Sequence, residues 1–77
     1  MNKERRQRLE EANDLIEQAR QIIEEVKDEE QEAYDNLPDG IKNSDRGGEM
    51  EEAISEMEDV MQNLEDTAET VGSIAES

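Results

Sequence analysis

The side chains best placed for chemistry in this sequence are carboxylates. Acidic doublets recur every seven residues at Glu51-Glu52, Glu58-Asp59 and Glu65-Asp66, and the first half carries Glu10-Glu11, Glu17, Glu24-Glu25 and Glu32. Carboxylates at such spacing can act as general acid and base, hold a hard cation, or present a line of negative charge to a basic partner. The first use requires a pocket that perturbs one carboxyl. A chain of 77 residues, 31% of them hydrophobic and one of them aromatic, has little from which to build such a pocket. For the second, a calcium loop starting at Asp35 would place Asp39 fifth and Gly40 sixth. Its third position would then be Leu37 and its twelfth Arg46, where a bidentate Glu is required. A di-iron bundle needs Glu-x-x-His, and the chain has no His; nor has it Cys for a thiol nucleophile, a disulfide or a zinc site. The expectation is therefore no catalytic residue, no cofactor, no metal and no enzymatic activity.

The third use survives. There are 24 Asp+Glu against 8 Lys+Arg, a formal net charge of −16, and from Gly47 to Ser77 there are ten acids and no base. Two carboxylates per heptad amount to one charge per about 5 Å of helix. Duplex DNA carries one per about 1.7 Å of axis, a density that several parallel lines of acids approach. Glu51, Glu52, Glu58, Asp59, Glu65 and Asp66 thus form a candidate partner-binding face that imitates a nucleic-acid backbone toward a basic groove. The plainer reading is that these acids are the solvated faces of helices and keep them soluble. Direct nucleic-acid binding is unexpected at this charge. No apolar run is long enough to span a membrane, and the opening residues contain no apolar signal core.

Such composition is also typical of disorder, but the apolar residues are periodic. With Leu9 as heptad position a, an a/d seam reads Leu9, Ala12, Ile16, Ala19, Ile23, Val26, Ala33 and Leu37, broken once by Glu30. A second seam reads Met50, Ile54, Met57, Met61, Leu64, Ala68, Val71 and Ala75. These predict one all-α domain over 1–77: a first helix over about 3–36, a turn over about 37–44 and a second helix over about 45–76. Leu37-Pro38-Asp39-Gly40 reads as a type I turn, Pro38 ends the first helix, and Ser44 is the best N-cap for the second. Gly47-Gly48 predicts a weak first turn after it. Two helices of equal length on a short linker form an antiparallel, coiled-coil-like hairpin. The facing layers would be Leu9–Val71, Ala12–Ala68, Ile16–Leu64, Ala19–Met61, Ile23–Met57 and Val26–Ile54.

The two flanks of the seam differ. Facing e positions give the pairs Arg20–Glu65, Lys27–Glu58 and Tyr34–Glu51, all in one register. The g flank is apolar: Leu15, Ile22, Ala53, Val60 and Ile74. A hairpin this small lacks core enough to stand alone, so this flank predicts self-association, a homodimer forming a four-helix bundle, or docking on another protein. At the tip, Glu30 is expected either to reach water near the turn or to pair with Arg46, while Tyr34, Leu37 and Ile41 cap the core. Lys3, Arg5, Arg6 and Arg8 are expected to neutralise Glu69 and Glu76 across the other end.

The stretch DEEQEAYDNLP at 28–38, followed by SDRG at 44–47 and MEEAI at 50–54, resembles a family of small acidic bacteriophage and prophage proteins without an assigned function. The likeness covers about residues 20–70 and is specific at the tip, generic in the heptads; Gly40-Ile41-Lys42 and Gly48 depart from it. The resemblance implies a shared tip of Glu30, Tyr34, Leu37, Pro38, Ser44, Arg46 and Gly47. It also implies work in the cytoplasm of a bacterial host, where small phage proteins bind and inhibit host machinery. The combined expectation is a protein-binding module that inhibits a host or anti-phage defence protein, one that handles nucleic acid, through a DNA-mimic-like acidic face. The alternative is a structural or adaptor oligomerisation module acting through the apolar flank or the tip.

Overall fold

The computed structural model describes all residues from Met1 to Ser77. The fold is all-α, with three helices: α1 (Lys3–Asp35), α2 (Asp39–Lys42) and α3 (Asp45–Glu76). α1 and α3 pack along each other in a hairpin-like rod 58 Å long. Their antiparallel course is fixed by contacts that step along both helices in opposite directions: Arg6 with Ala75, Asn13 with Ala68, Arg20 with Glu65 and Tyr34 with Glu51.

α1 begins at Asn2, whose side-chain oxygen accepts from the Arg5 N–H at 2.8 Å and satisfies one of the helix's free donors. The turn differs from its expected form. Pro38, at φ −59° and ψ 148°, is extended and starts the one-turn helix α2, whose Ile41 and Lys42 N–H groups both donate to the Pro38 carbonyl. The turn is therefore shifted one residue along from Leu37–Gly40, because the Pro38 carbonyl, and not that of Leu37, collects the following amides. Ser44 does occupy the position before α3, but its hydroxyl turns back to donate to the Ile41 carbonyl and caps no α3 amide.

The glycine pair carries different duties at its two positions. Gly47 is buried, and a Cβ there would stand 2.1 Å from the Lys42 carbonyl oxygen. Only a bare Cα lets α2 lie on α3 at this point. Gly48 has open space around it. α3 is helical across both.

The contact face of α3 follows its a/d seam: Met50, Met57, Met61, Leu64, Ala68 and Val71 are half-buried, Ile54 and Ala75 buried. α1 is turned differently. Leu9, Ile16, Ile23 and Leu37 at a are half-buried, but so are Asn13, Arg20, Lys27 and Tyr34 at e, while Ala19, Val26 and Ala33 at d are exposed. The expected layers Ala19–Met61 and Val26–Ile54 therefore have an exposed partner on α1, Val26 being 46% accessible. The reason lies in the e side chains. Their stems cover the seam, and the polar ends of Asn13, Arg20 and Tyr34 reach groups on α3, which centres the contact between a and e.

Candidate functional site

The row at e on α1 is a ladder of hydrogen-bond donors directed at α3. Arg6 Nε donates to the Ala75 carbonyl at 2.6 Å, and Asn13 Nδ2 to the Ala68 carbonyl at 3.0 Å. Arg20 Nη1 stands 3.9 Å from the Glu65 carboxylate, and the Tyr34 hydroxyl donates to Glu51. The small residues Ala68, Gly72 and Ala75 leave the α3 backbone open to the first two contacts. Of the three expected e pairs, Arg20–Glu65 and Tyr34–Glu51 are present. Lys27 instead pairs with its neighbour Asp28 at 3.5 Å, which lies closer than Glu58. Arg6 and Asn13 were legible as members of this row, three and two heptads before Lys27; their targets were not, because backbone carbonyls have no sequence signature. One buried polar atom, Asn13 Oδ1, has no partner.

Arg20 is the electrostatic hub. Its guanidinium makes a fork with Glu17 (3.1 and 2.8 Å) and a further bond to Glu24 at 2.9 Å. These bonds, that to Glu17 first, hold the guanidinium more firmly protonated than usual. The bond from Arg20 likewise holds the Glu17 carboxyl below its ordinary value, against a smaller desolvation effect. At the tip, the bond to the negative Glu51 pushes the Tyr34 phenol above its ordinary value, with desolvation second. The Lys42 ammonium sits 5.5 Å from the centre of the Tyr34 ring.

Two expected ion-pair arrangements are absent. Glu30 is half-buried without an ion-pair partner, and Arg46 is exposed and unpaired, so they do not bridge the tip. The basic cluster does not pair with Glu69 or Glu76. Arg6 bonds the Ala75 and Met1 carbonyls, and the terminal ammonium of Met1 bonds the Ser77 carbonyl. The cluster lies at the unfavourable end of its own helix but beside the C-terminus of α3, where free carbonyls and the helix dipole attract cations.

The six acids of the candidate face divide into two rows. Glu51, Glu58 and Glu65 at e turn toward α1, and the first and last have partners there. Glu52, Asp59 and Asp66 at f are exposed and carry no ion pair; the Asp66 carboxylate accepts one side-chain bond, from Gln62 at 3.2 Å. No group of three or more acids is arranged to hold a metal ion. No helix is long and apolar enough to cross a membrane.

The apolar flank lies open. Leu15 and Ile22 are 59% and 60% accessible, and Val60 and Ile74 are also exposed; Ala53 alone is half-buried. With Ala19, Val26 and Ala33 turned out beside them, the flank on α1 is wider than the g row alone. At its open end, Met1, Arg5, Arg8, Leu9 and Ile74 line a crease. At the tip, Leu37 is half-buried and Ile41 exposed.

No protein-family model, curated protein or solved structure matches the chain.

Proposed function

We propose that this chain is a non-enzymatic oligomerisation and protein-binding module, and that its apolar flank closes against a second copy to form a four-helix bundle. The observation that carries this reading is the mismatch between covered and uncovered apolar surface. Only Ile54 and Ala75 are buried hydrophobic residues, while Leu15, Ile22, Val26, Val60 and Ile74 stand exposed along one side of the rod. Monomeric proteins rarely leave such a strip uncovered, and each large side chain buried would contribute about 1.5–3 kcal/mol. The test is sedimentation equilibrium of the wild type against Leu15→Glu and Ile22→Glu. The wild type should be dimeric and both variants should shift toward monomer; a wild type that stays monomeric at high micromolar concentration refutes the reading.

A second reading concerns what the bundle does. The f row Glu52, Asp59 and Asp66 has no base on it, and the chain has none after Arg46. It presents charge to a basic protein surface, and the phage-like tip suggests a host or defence protein in the bacterial cytoplasm. Binding through this row should weaken steeply with salt and fail when the three acids become Asn or Gln. Retention of a captured protein at high salt would sink this second reading.

A further inference from the structure

We infer that the second copy docks upside down, with the tip of one hairpin beside the open end of the other. This inference rests on the self-association proposed above and adds its direction and register. The flank has a polarity. Along α1 the g row reads Arg8, Leu15, Ile22, Glu29: basic at the open end, apolar in the middle, acidic toward the tip. Arg8 and Glu29 are both exposed, and neither has an ion-pair partner within the hairpin. Inverting a second copy about a twofold axis beside Ala19 brings Arg8 opposite Glu29 of the second copy, and Leu15 opposite its Ile22. The reciprocal contacts follow by symmetry.

α3 independently supplies the same axis. Its g row, Ala53, Val60, Thr67 and Ile74, is symmetric about a point between Asn63 and Leu64. Inversion there sets Val60 against Thr67 and Ala53 against Ile74 of the second copy. Because Asn13 meets Ala68, Ala19 lies level with Gln62, so the two symmetry points coincide to within about two residues, or about 3 Å of rise. Small Ala19 at the axis lets the two α1 helices approach closely. The opposite arrangement, with both tips at one end, would place the unpaired Arg5 and Arg8 of both copies together and leave Glu29 facing the apolar Ala53. Charge complementarity therefore selects the inverted pair.

The chain has no cysteine, so single introduced thiols report the arrangement. Ala19→Cys should form an intermolecular disulfide under mild oxidation, since the two α1 helices face each other at the axis and the bond needs Cα atoms within about 7 Å. Ala33→Cys, in the same row but far from the axis, should not. Arg8→Glu should raise the dimer dissociation constant about tenfold, because two reciprocal pairs turn repulsive, and adding Glu29→Arg should restore it to within about threefold of wild type. A dimer that Arg8→Glu tightens, and in which Ala19→Cys does not cross-link, overturns the inverted arrangement while leaving self-association standing. A wild type that never dimerises removes both, and the two failures are thereby told apart.

Discussion

The contact between Gly47 and Lys42 allows a sharp test of how the tip is built. An alanine Cβ at Gly47 would lie 2.1 Å from the Lys42 carbonyl oxygen, 2.6 Å from its carbonyl carbon and 2.7 Å from its Cα, all backbone atoms. None can be relieved by rotating a side chain, so α2 must move or α3 must unwind. Overpacking of this kind costs about 1–3 kcal/mol, and rigid backbone on one side places it in the upper part of that range. Against it stands the helix propensity of alanine over glycine, about 0.8–1.0 kcal/mol. The net effect of Gly47→Ala is a loss of about 1–2 kcal/mol, a fall in Tm of about 5–15 °C for a domain this small. Gly48 is the internal control, since nothing lies within 4 Å of a Cβ there. Gly48→Ala keeps only the propensity gain and should raise Tm by about 4–8 °C. The measurement is thermal unfolding by far-ultraviolet circular dichroism at one fixed protein concentration, because self-association makes Tm concentration-dependent. If both substitutions stabilise equally, α2 does not rest on Gly47 and the account of the tip is wrong.

Tyr34 is the only aromatic residue, so phenolate absorbance reports it alone. Its midpoint should lie above the ordinary value of about 10 and fall back toward it in Glu51→Gln, which removes the first cause of the shift. The sign follows from linkage: a folded-state pKa above the unfolded one gives a contribution present in full below pH about 10 and lost as pH rises through the folded value. A midpoint unchanged by Glu51→Gln would refute the bond. Asn13→Ala should lower stability by about 1 kcal/mol through loss of the bond to the Ala68 carbonyl; an unchanged urea midpoint would contradict that. With a net charge of −16, Tm should rise on going from low to moderate salt, because self-repulsion is screened more than the few ion pairs are weakened. A Tm that falls with salt would give the ion pairs the larger share.

The long helices were legible because apolar residues recur at alternating three- and four-residue steps through both. The contact face of α3 follows from that spacing alone, since only its a and d rows are consistently apolar. α1 is harder to read, with apolar residues at a, d and g. Periodicity does not say which adjacent pair of rows turns inward. The choice is made by Asn13, Arg20, Lys27 and Tyr34 at e, whose stems cover the seam and, except for Lys27, whose ends reach α3. That left Val26, expected in the core, in solvent. α2 and the need for glycine at 47 were not read from the sequence, because both depend on how the short α2–α3 connection folds Lys42 back onto Gly47, and backbone-to-backbone approach has no side-chain signature. Of the candidate surfaces, the open flank was visible as a row; the division of the acid doublets into an inward e and an outward f row was implicit in the expected pairing of e with e, of which the structure keeps Arg20–Glu65 and Tyr34–Glu51.

The donor row has a consequence for alignment. Repeats of seven invite slippage: if α1 slid one heptad along α3, Ile16 and Ile23 would still meet apolar neighbours, and hydrophobic burial would hardly distinguish the two states. The e residues remove that degeneracy, because Asn13 and Tyr34 each differ in kind from their neighbours in the row. Moved one heptad toward the tip, Asn13 would meet Met61, whose bulk shields its carbonyl, where Ala68 exposes one. Tyr34 would run past the start of α3 and lose Glu51. Arg20 would still find an acid at Glu58, so it is the least discriminating member. The row thus acts as an address written along the rod, with Asn13 and Tyr34 as its most informative characters.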